Sequence, residues 1–449
     1  MIELPSDLVA RFEDQGQGHV FRFWDELTET EQRSFLAELN EIDLDLFASL
    51  GKTQECSIGQ NLSPSPVAML DESCKERGEE LIRNGTLGVL TVAGGQGTRL
   101  GWSGPKGTFP AAPISGKSLF QLVAEQVVFA SKKYGKTIPW YIMTSMQNEE
   151  ATECFLVDNN CFGIDRTDIF IFSQAQIPAV DADGRMLLAS KGSIAMNPDG
   201  HGGVITALQA SGGLEEMESR GIAYLSYIQI DNPLVHVVDP VFLGMHVGDV
   251  SSCEVSSKCV QKADAKERVG VFCQVDSATT VVEYSDLPVE FATQTDEQGE
   301  LLFSAGSIAI HMISIDFLQR VADVMPWHRA HKKVSHIHLE TGERVSPQEP
   351  NAYKYERFVF DIVPMADRSL VVETKREEEF APIKNAEGMD SPSTSKALQQ
   401  ARAIRWLRTY IEVHDGAQVE ISPLTASSSD DLATVELPSS IDEHGACVV

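Results

Sequence analysis

This chain is short of positive charge. Lysine and arginine number 36 against 66 aspartates and glutamates, which leaves a net charge of −30 over 449 residues. A nucleic-acid binder needs a basic footprint, so nucleic acid is not expected as a partner. Anionic membranes are disfavoured for the same reason. There is no apolar run of about eighteen residues, so no transmembrane helix is expected. The opening, MIELPSDLVARFED, carries acids and lacks the charged-then-apolar pattern of a secretory signal. The 8 cysteines are scattered without a C-x-x-C pair, and reduced thiols in a cytoplasmic protein are the simple expectation. Cys447 is third from the end, so it does not form a prenylation box.

Several familiar catalytic motifs are missing too. A dinucleotide fingerprint starting at Gly95 and Gly97 would need its third glycine where Leu100 stands. Gly116-Lys117-Ser118 resembles the end of a P-loop, but Ala111 occupies the first glycine position. No G-x-S-x-G elbow is present, which argues against a serine hydrolase. His328, His331, His336 and His338 have no zinc spacing, and Lys332 and Lys333 stand among them, so this cluster reads as structural.

What is present is Gly94-Gly95-Gln96-Gly97-Thr98-Arg99-Leu100-Gly101, followed by Pro105-Lys106-Gly107. Before it, Leu87–Ala93 reads as a buried strand. After it, Ser118–Ala130 reads as a helix. A strand feeding a glycine loop lets backbone N–H groups face an anion without side chains in the way. Arg99 and Lys106 add positive charge at the same mouth. Such a loop suits a polyphosphate.

The first fifty residues read as helical, with Thr28 and Glu31 as a capping box and Phe35, Leu36, Leu39 and Ile42 at helical spacing. Gly51–Pro66 reads as a linker. From Leu87 the pattern alternates strands with helices. Expected strands are Leu87–Ala93, Trp140–Thr144, Ile169–Phe172, Ile222–Ile230, Cys253–Val260, Gly270–Gln274, Ile308–Met312 and Arg357–Ile362. That alternation predicts an α/β fold with a mainly parallel sheet, whose ligands sit beyond the carboxyl ends of the strands. Ser391-Pro392 opens a last helix, Gln418–Ile421 reads as a strand, and the polar acidic tail, SSSDD and the final DEHG, reads as poorly ordered. The expected division is 1–66, 67–390 and 391–449.

Three further stretches carry chemistry. Pro198-Asp199-Gly200-His201-Gly202-Gly203 is a second glycine loop entering a helix near Val204. It is a backbone surface for a base or sugar, or a simple turn. Asp231 follows an apolar strand, where a carboxylate can hold Mg²⁺ or start an Asx turn. Lys375–Asn385 is a charge run of the kind that is usually solvated, but Lys384 sits between Pro382-Ile383 and Asn385-Ala386 and is a candidate third cation.

Taken together, these residues resemble the UDP-sugar pyrophosphorylase family, and most closely its UDP-N-acetylglucosamine branch. The resemblance rests on TVAGGQGTRLGWSGPKG, MTS at Met143–Ser145, NPDGHGG, DNPLVHVVDPVFLG, VVEYS at Val281–Ser285, AGSIAIH, RFVFDIVP and EEEFAPIKNAEG, in family order over nearly the whole chain. It implies a GT-A-like nucleotidyltransferase core, an N-terminal helical part, a small C-terminal α+β domain and Mg²⁺ dependence. The implied activity is that of an EC 2.7.7-type uridylyltransferase, which joins UTP and a sugar 1-phosphate into UDP-sugar and pyrophosphate. N-acetylglucosamine 1-phosphate is the sugar expected first. Glucose or galactose 1-phosphate, or a broad range, is the alternative, and a non-catalytic UDP-sugar-binding protein is a second.

By the same resemblance, Gly94, Gly95, Gln96 and Gly97 wrap the UTP, and Arg99 and Lys106 hold its phosphates. Gln174 reads uracil, Gly200 lies under the nucleoside and Asp231 binds magnesium. Glu283 and Tyr284 contact the sugar. Lys354 and Lys384 stand on the phosphate side, with Lys384 bridging the two reacting phosphates. Departures fall where the sugar sits. His201 replaces the asparagine usual in this branch, as in UDP-glucose enzymes, and Ser307 replaces the longer asparagine of AGNIANH.

Overall fold

The computed structural model describes residues 2–50, 61–443 and 445–449. They fall into two compact units, each discontinuous in sequence. One draws its described residues from Met1–Ser57, Gln174–Gly203 and Val324–Val359, the other from Ile58–Ser173, Val204–Asp323 and Phe360–Val449. The division expected at 66/67 and 390/391 follows the chain instead. Composition shows where a chain changes character, not which remote segments pack together. Residues 51–60 of the expected linker lie outside the described residues.

The second unit is built on a mixed, mostly parallel sheet. Its strands are β1 (Leu87–Val92), β2 (Trp140–Ser145), β3 (Ile169–Gln174), β4 (Tyr224–Gln229), β5 (Val255–Gln261), β6 (Val271–Val275), β7 (Ala278–Val282), β8 (Ala305–Ser314) and β9 (Leu370–Glu373). The order across the sheet is β9-β5-β8-β4-β1-β2-β3, with Ala68–Met69 paired parallel outside β9 and with β6 and β7 branching from β8. β4, β1 and β2 run parallel, as do β5 and β9, while β8 is antiparallel to both β4 and β5. LGVLTV and WYIMTS are continuous apolar runs because both faces of these strands are covered. One cover is the helix Leu119–Tyr134, capped by Ser118 Oγ, which accepts from Gln121 N at 3.1 Å. Its Phe120 is fully buried and meets Trp140 edge-on at 6.1 Å. Each fully buried side chain of this size contributes about 1.5–3 kcal/mol.

One expected strand is absent. Arg357–Ile362 does not join the sheet, and Val359–Met365 forms a 3-10 helix instead. The local backbone groups are engaged elsewhere. Arg357 N donates to Asp199 O at 2.7 Å, Gly202 N donates to Arg357 O at 2.9 Å, and Val359 N donates to His201 Nδ1 at 3.2 Å. The segment straps the second glycine loop rather than extending a ladder. The place beside β5 falls to β9, a strand too short to announce itself by period, and Ala68–Met69 pairs parallel with it on the outside.

In the first unit, the helices Ser6–Asp14 and Glu29–Glu41 bury Phe12, Phe35 and Leu39 against Ile177, Leu188 and Tyr355. The Thr28 capping box forms as expected, with Thr28 N donating to Glu31 Oε2 at 2.8 Å and Glu31 N to Thr28 Oγ1 at 3.3 Å. His328–Lys332 pairs antiparallel with Ala352–Glu356, and the ring of His331 stacks on Tyr353 at 4.7 Å.

The last helix, Pro392–Leu407, starts from a Ser391–Thr394 capping box and closes a small cluster with Val413, Val419, Leu432 and Ile441. Its neighbour Glu420 is buried and accepts from Ile114 N at 2.8 Å, Ser115 N at 2.9 Å and Ser115 Oγ at 2.5 Å. The SSSDD stretch departs from expectation by forming structure. Asp431 Oδ2 accepts from Ser427 N and Ser428 N at 3.0 and 2.9 Å, starting the 3-10 helix Ser429–Thr434, and Asp431 pairs with Lys133 at 2.6 Å. Acidic serine-rich composition reads as solvated, but here the carboxylate caps a turn. Among the described residues no helix is long and apolar enough to cross a membrane.

Candidate functional site

β1 delivers the chain into the first glycine loop. The excursion from Gly94 to Lys106 closes on itself: Gly97 N donates to Gly104 O at 2.9 Å, and Lys106 N to Gly95 O at 3.0 Å. Lys106 is thereby returned to the mouth of the loop. At Gly97, a Cβ would stand 2.7 Å from Trp102 Cβ, so glycine is needed for that close approach. Gly95 is exposed and Gly94 and Gln96 are half-exposed, which leaves the backbone accessible. Arg99 is exposed on the 3-10 turn Thr98–Leu100. The buried Asn148, not identified from sequence, braces the loop, donating through Nδ2 to Ala93 O at 3.1 Å and Gly95 O at 3.4 Å. Its signal lay just past the quoted MTS segment, in Gln147-Asn148.

Asp231 lies just past the carboxyl end of β4. Its Oδ2 accepts from Lys106 Nζ at 3.0 Å, and both side chains are 16% exposed. Lys384 is brought to the same place by the main chain, because Ile383 N donates to Asp231 O at 2.8 Å. Burial opposes the charge on Asp231, but the ammonium groups of Lys106 and Lys384 outweigh it and hold the carboxyl below its usual range. Two cations and one ionised acid therefore meet beside an exposed glycine loop. Segments more than a hundred residues apart supply them.

The expected sugar residues of this unit also converge. β8 carries extra residues against β5 between Ser307 and His311, and Ala309 takes a positive φ of 54° there. Such a bulge re-aims the strand. Ser307 N donates to Gly270 O at 2.8 Å, and a Cβ on Gly270 would lie 3.6 Å from Glu283 Oε1. Ser307 and Glu283 thus flank Gly270. Tyr284 is 47% exposed in the turn after β7.

The first unit holds the remaining expected residues. Gln174 is buried at the end of β3. Gly200 has φ +85°, and a Cβ there would stand 2.4 Å from Arg357 O, so no other residue fits. His201 accepts from Val359 N through Nδ1, which leaves the ring proton on Nε2, and burial pushes its pKa down to about 4. Lys354 sits on Ala352–Glu356. Burial, with Lys332 nearby, lowers its pKa against the opposing pull of Glu356.

Beneath this loop lies Asp199, 1% exposed, with no hydrogen-bond partner on either carboxylate oxygen among the described residues. Burial raises its pKa to about 7, and Arg357 only partly offsets that. The folded value lies above the unfolded 3.8, so this group weakens the fold as pH rises from about 4 to about 7. Asp199→Asn is expected to be more heat-stable than the parent at neutral and alkaline pH. Thermal melts across that range check it: the advantage should grow with pH, and a pH-independent difference would remove the assignment.

Residues 52–400 match the family model of the UTP–glucose-1-phosphate uridylyltransferases. The chain is 35% identical over 470 residues to a UDP-N-acetylhexosamine pyrophosphorylase-like protein of Xenopus tropicalis, covering 97% of this chain and 91% of that protein. It is 33% identical over 464 residues to the UDP-N-acetylglucosamine pyrophosphorylase of Saccharomyces cerevisiae, covering 95% and 96%. Among solved structures, the uridine diphosphate N-acetylglucosamine pyrophosphorylase of Trypanosoma brucei superposes with a TM-score of 0.78 at 25% identity, over 96% of this chain and 95% of that one.

Proposed function

The chain belongs to the UTP–glucose-1-phosphate uridylyltransferase family, and we propose that it joins UTP to N-acetylglucosamine 1-phosphate, releasing pyrophosphate. The observation that carries this reading is the meeting of Lys106, Asp231 and Lys384 beside the exposed backbone of Gly94 to Gly97. In the reaction, an oxygen of the sugar phosphate attacks the α-phosphorus of UTP and pyrophosphate leaves on the opposite side. The attacking phosphate is already ionised, so no protein nucleophile or general base is needed. Catalysis then consists of positioning and charge neutralisation. Cations on a glycine scaffold suit that task; a proton-transfer triad would have no role.

In this scheme the backbone of Gly94, Gly95, Gln96 and Gly97 holds the triphosphate. Arg99 and Lys106 take its charge, and Lys384 bridges the sugar phosphate and the α-phosphate. Gln174 and Gly200 receive the nucleoside, with Lys354 on the phosphate side. In the second unit, Glu283, Tyr284 and Ser307 receive the sugar. The donor set also fits Mg²⁺, which takes one or two carboxylates and completes its shell with phosphate oxygens and water. Asp231 is the residue that would hold it, since its neighbours keep it ionised. When bound, the ion would add charge neutralisation at the phosphates.

The sugar preference is supported by the named activities of the relatives. A pyrophosphate-release assay with UTP and the 1-phosphates of glucose, galactose, N-acetylglucosamine and N-acetylgalactosamine tests it. The highest kcat/KM is expected with N-acetylglucosamine 1-phosphate. A higher value with glucose 1-phosphate would overturn the sugar assignment alone. No release with any sugar would overturn the transferase reading and favour a UDP-sugar-binding protein.

A further inference from the structure

Lys258 lies on β5, and its side chain has 0% exposure. Its Nζ meets Asp239 Oδ2 at 2.6 Å and the two oxygens of Glu379 at 2.5 and 2.7 Å. Three N–H groups thus meet three acceptors on two buried carboxylates. His236, Asp239 and Glu379 have spacing that could hold a metal, but the ammonium of Lys258 already stands between the two carboxylates. The cation built into this place is a lysine.

Both partners belong to segments that carry site residues. Asp239 ends the loop that begins at Asp231, and its Oδ1 caps the helix Pro240–His246 by accepting from Phe242 N at 3.0 Å. Glu379 begins the segment that leads to Lys384. Its Oε2 accepts from Thr374 Oγ1 at 2.7 Å, and its main-chain oxygen accepts from Asn232 Nδ2 at 2.7 Å. Asn232 Oδ1 in turn accepts from Ala381 N at 3.0 Å, and Asp231 O accepts from Ile383 N at 2.8 Å. The two segments are sewn together from Lys258 up to the pair Asp231 and Lys384.

We propose that Lys258 is a positioning residue for uridylyl transfer, which sets Lys384 against Asp231 through Glu379 and Asp239. This rests on the transferase reading above. A buried charged trio is not the most stabilising way to fill such a space, since well-packed apolar residues often serve as well. What three directed hydrogen bonds supply is a fixed separation between two loops. A misplacement of about 1 Å at a reacting centre lowers a rate about a hundredfold.

Lys258→Met alone leaves two buried carboxylates without a partner and is at risk of not folding. The triple variant Lys258→Met/Glu379→Gln/Asp239→Asn removes all three charges, and asparagine keeps the helix cap. It is compared with the parent by thermal melting, by UTP calorimetry and by pyrophosphate release, each with and without Lys384→Ala. The folded triple variant is expected to bind UTP within about threefold of the parent while kcat falls about thirtyfold or more. Adding Lys384→Ala should then lower kcat little further, because the lysine is already misplaced. A kcat within about threefold of the parent, or losses that multiply when the changes are combined, would overturn the proposal. A parent protein that binds UTP but releases no pyrophosphate would overturn the transferase reading and the proposal with it.

Discussion

Lys384→Ala is expected to lower turnover by about a thousandfold while the fold survives. The side chain is half-exposed, and its main-chain N–H, bound to Asp390 O at 2.7 Å, is untouched by the change. Its aliphatic stem loses only a loose approach to Phe380, with Nζ 5.7 Å from the ring centre. Stability should therefore change by less than about 1 kcal/mol. The reaction loses far more. Two anionic phosphates must approach each other, and their repulsion peaks as the new bond forms. A fixed ammonium at that point acts mainly on the transition state, so the loss should appear in kcat more than in the KM for UTP. Pyrophosphate release and a thermal melt of the same sample check it. Turnover within about tenfold of the parent would remove Lys384 from the reacting phosphates.

Asp231→Asn should give a crossed result. The amide keeps the shape of the carboxylate but not its charge, so the Mg²⁺ needed for half-maximal rate should rise and the maximal rate fall by about a hundredfold. In a chelator the sign reverses. Lys106, held at 3.0 Å by Asp231 in the parent, is freed from an ionic partner and faces the phosphates with its whole charge. Metal-free UTP affinity should then equal or exceed that of the parent. Calorimetry in the chelator and a magnesium titration of the rate decide the matter. An unchanged titration would take the metal role from Asp231, and weaker metal-free binding would show that the acid serves the nucleotide in another way.

Much of this site was readable from the chain because its signals are local. The glycine loop, Lys106 and the acid after an apolar strand each occupy a few adjacent residues, as does the Thr28 capping box elsewhere in the chain. Strands such as LGVLTV and WYIMTS were clear because covering on both faces demands an unbroken apolar run. Partners distant in sequence were not readable. Glu379 looked like one acid in a solvated run, yet it is 1% exposed because Lys258, 121 residues earlier, neutralises it. Asp199 carried no signal of its own within the second glycine loop, and only the fold seals it from water. RFVFDIVP is apolar enough to read as a strand, but the N–H groups of Arg357 and Val359 are claimed by the loop at 199–203. Each of these depends on a contact that no local period records.

Glu420 has a practical bearing on where this protein can be divided. Its carboxylate holds the backbone at Ile114 and Ser115, in the turn that leaves Lys106 and leads to the helix at Leu119. A fragment ending at the 390/391 boundary would look like a tidy catalytic core on paper. It would leave two backbone amides and a serine hydroxyl without their acceptor, nine residues or fewer from Lys106. A fragment that is to keep this turn as the fold has it therefore has to include the strand Gln418–Glu420, far along the chain from the loop it steadies.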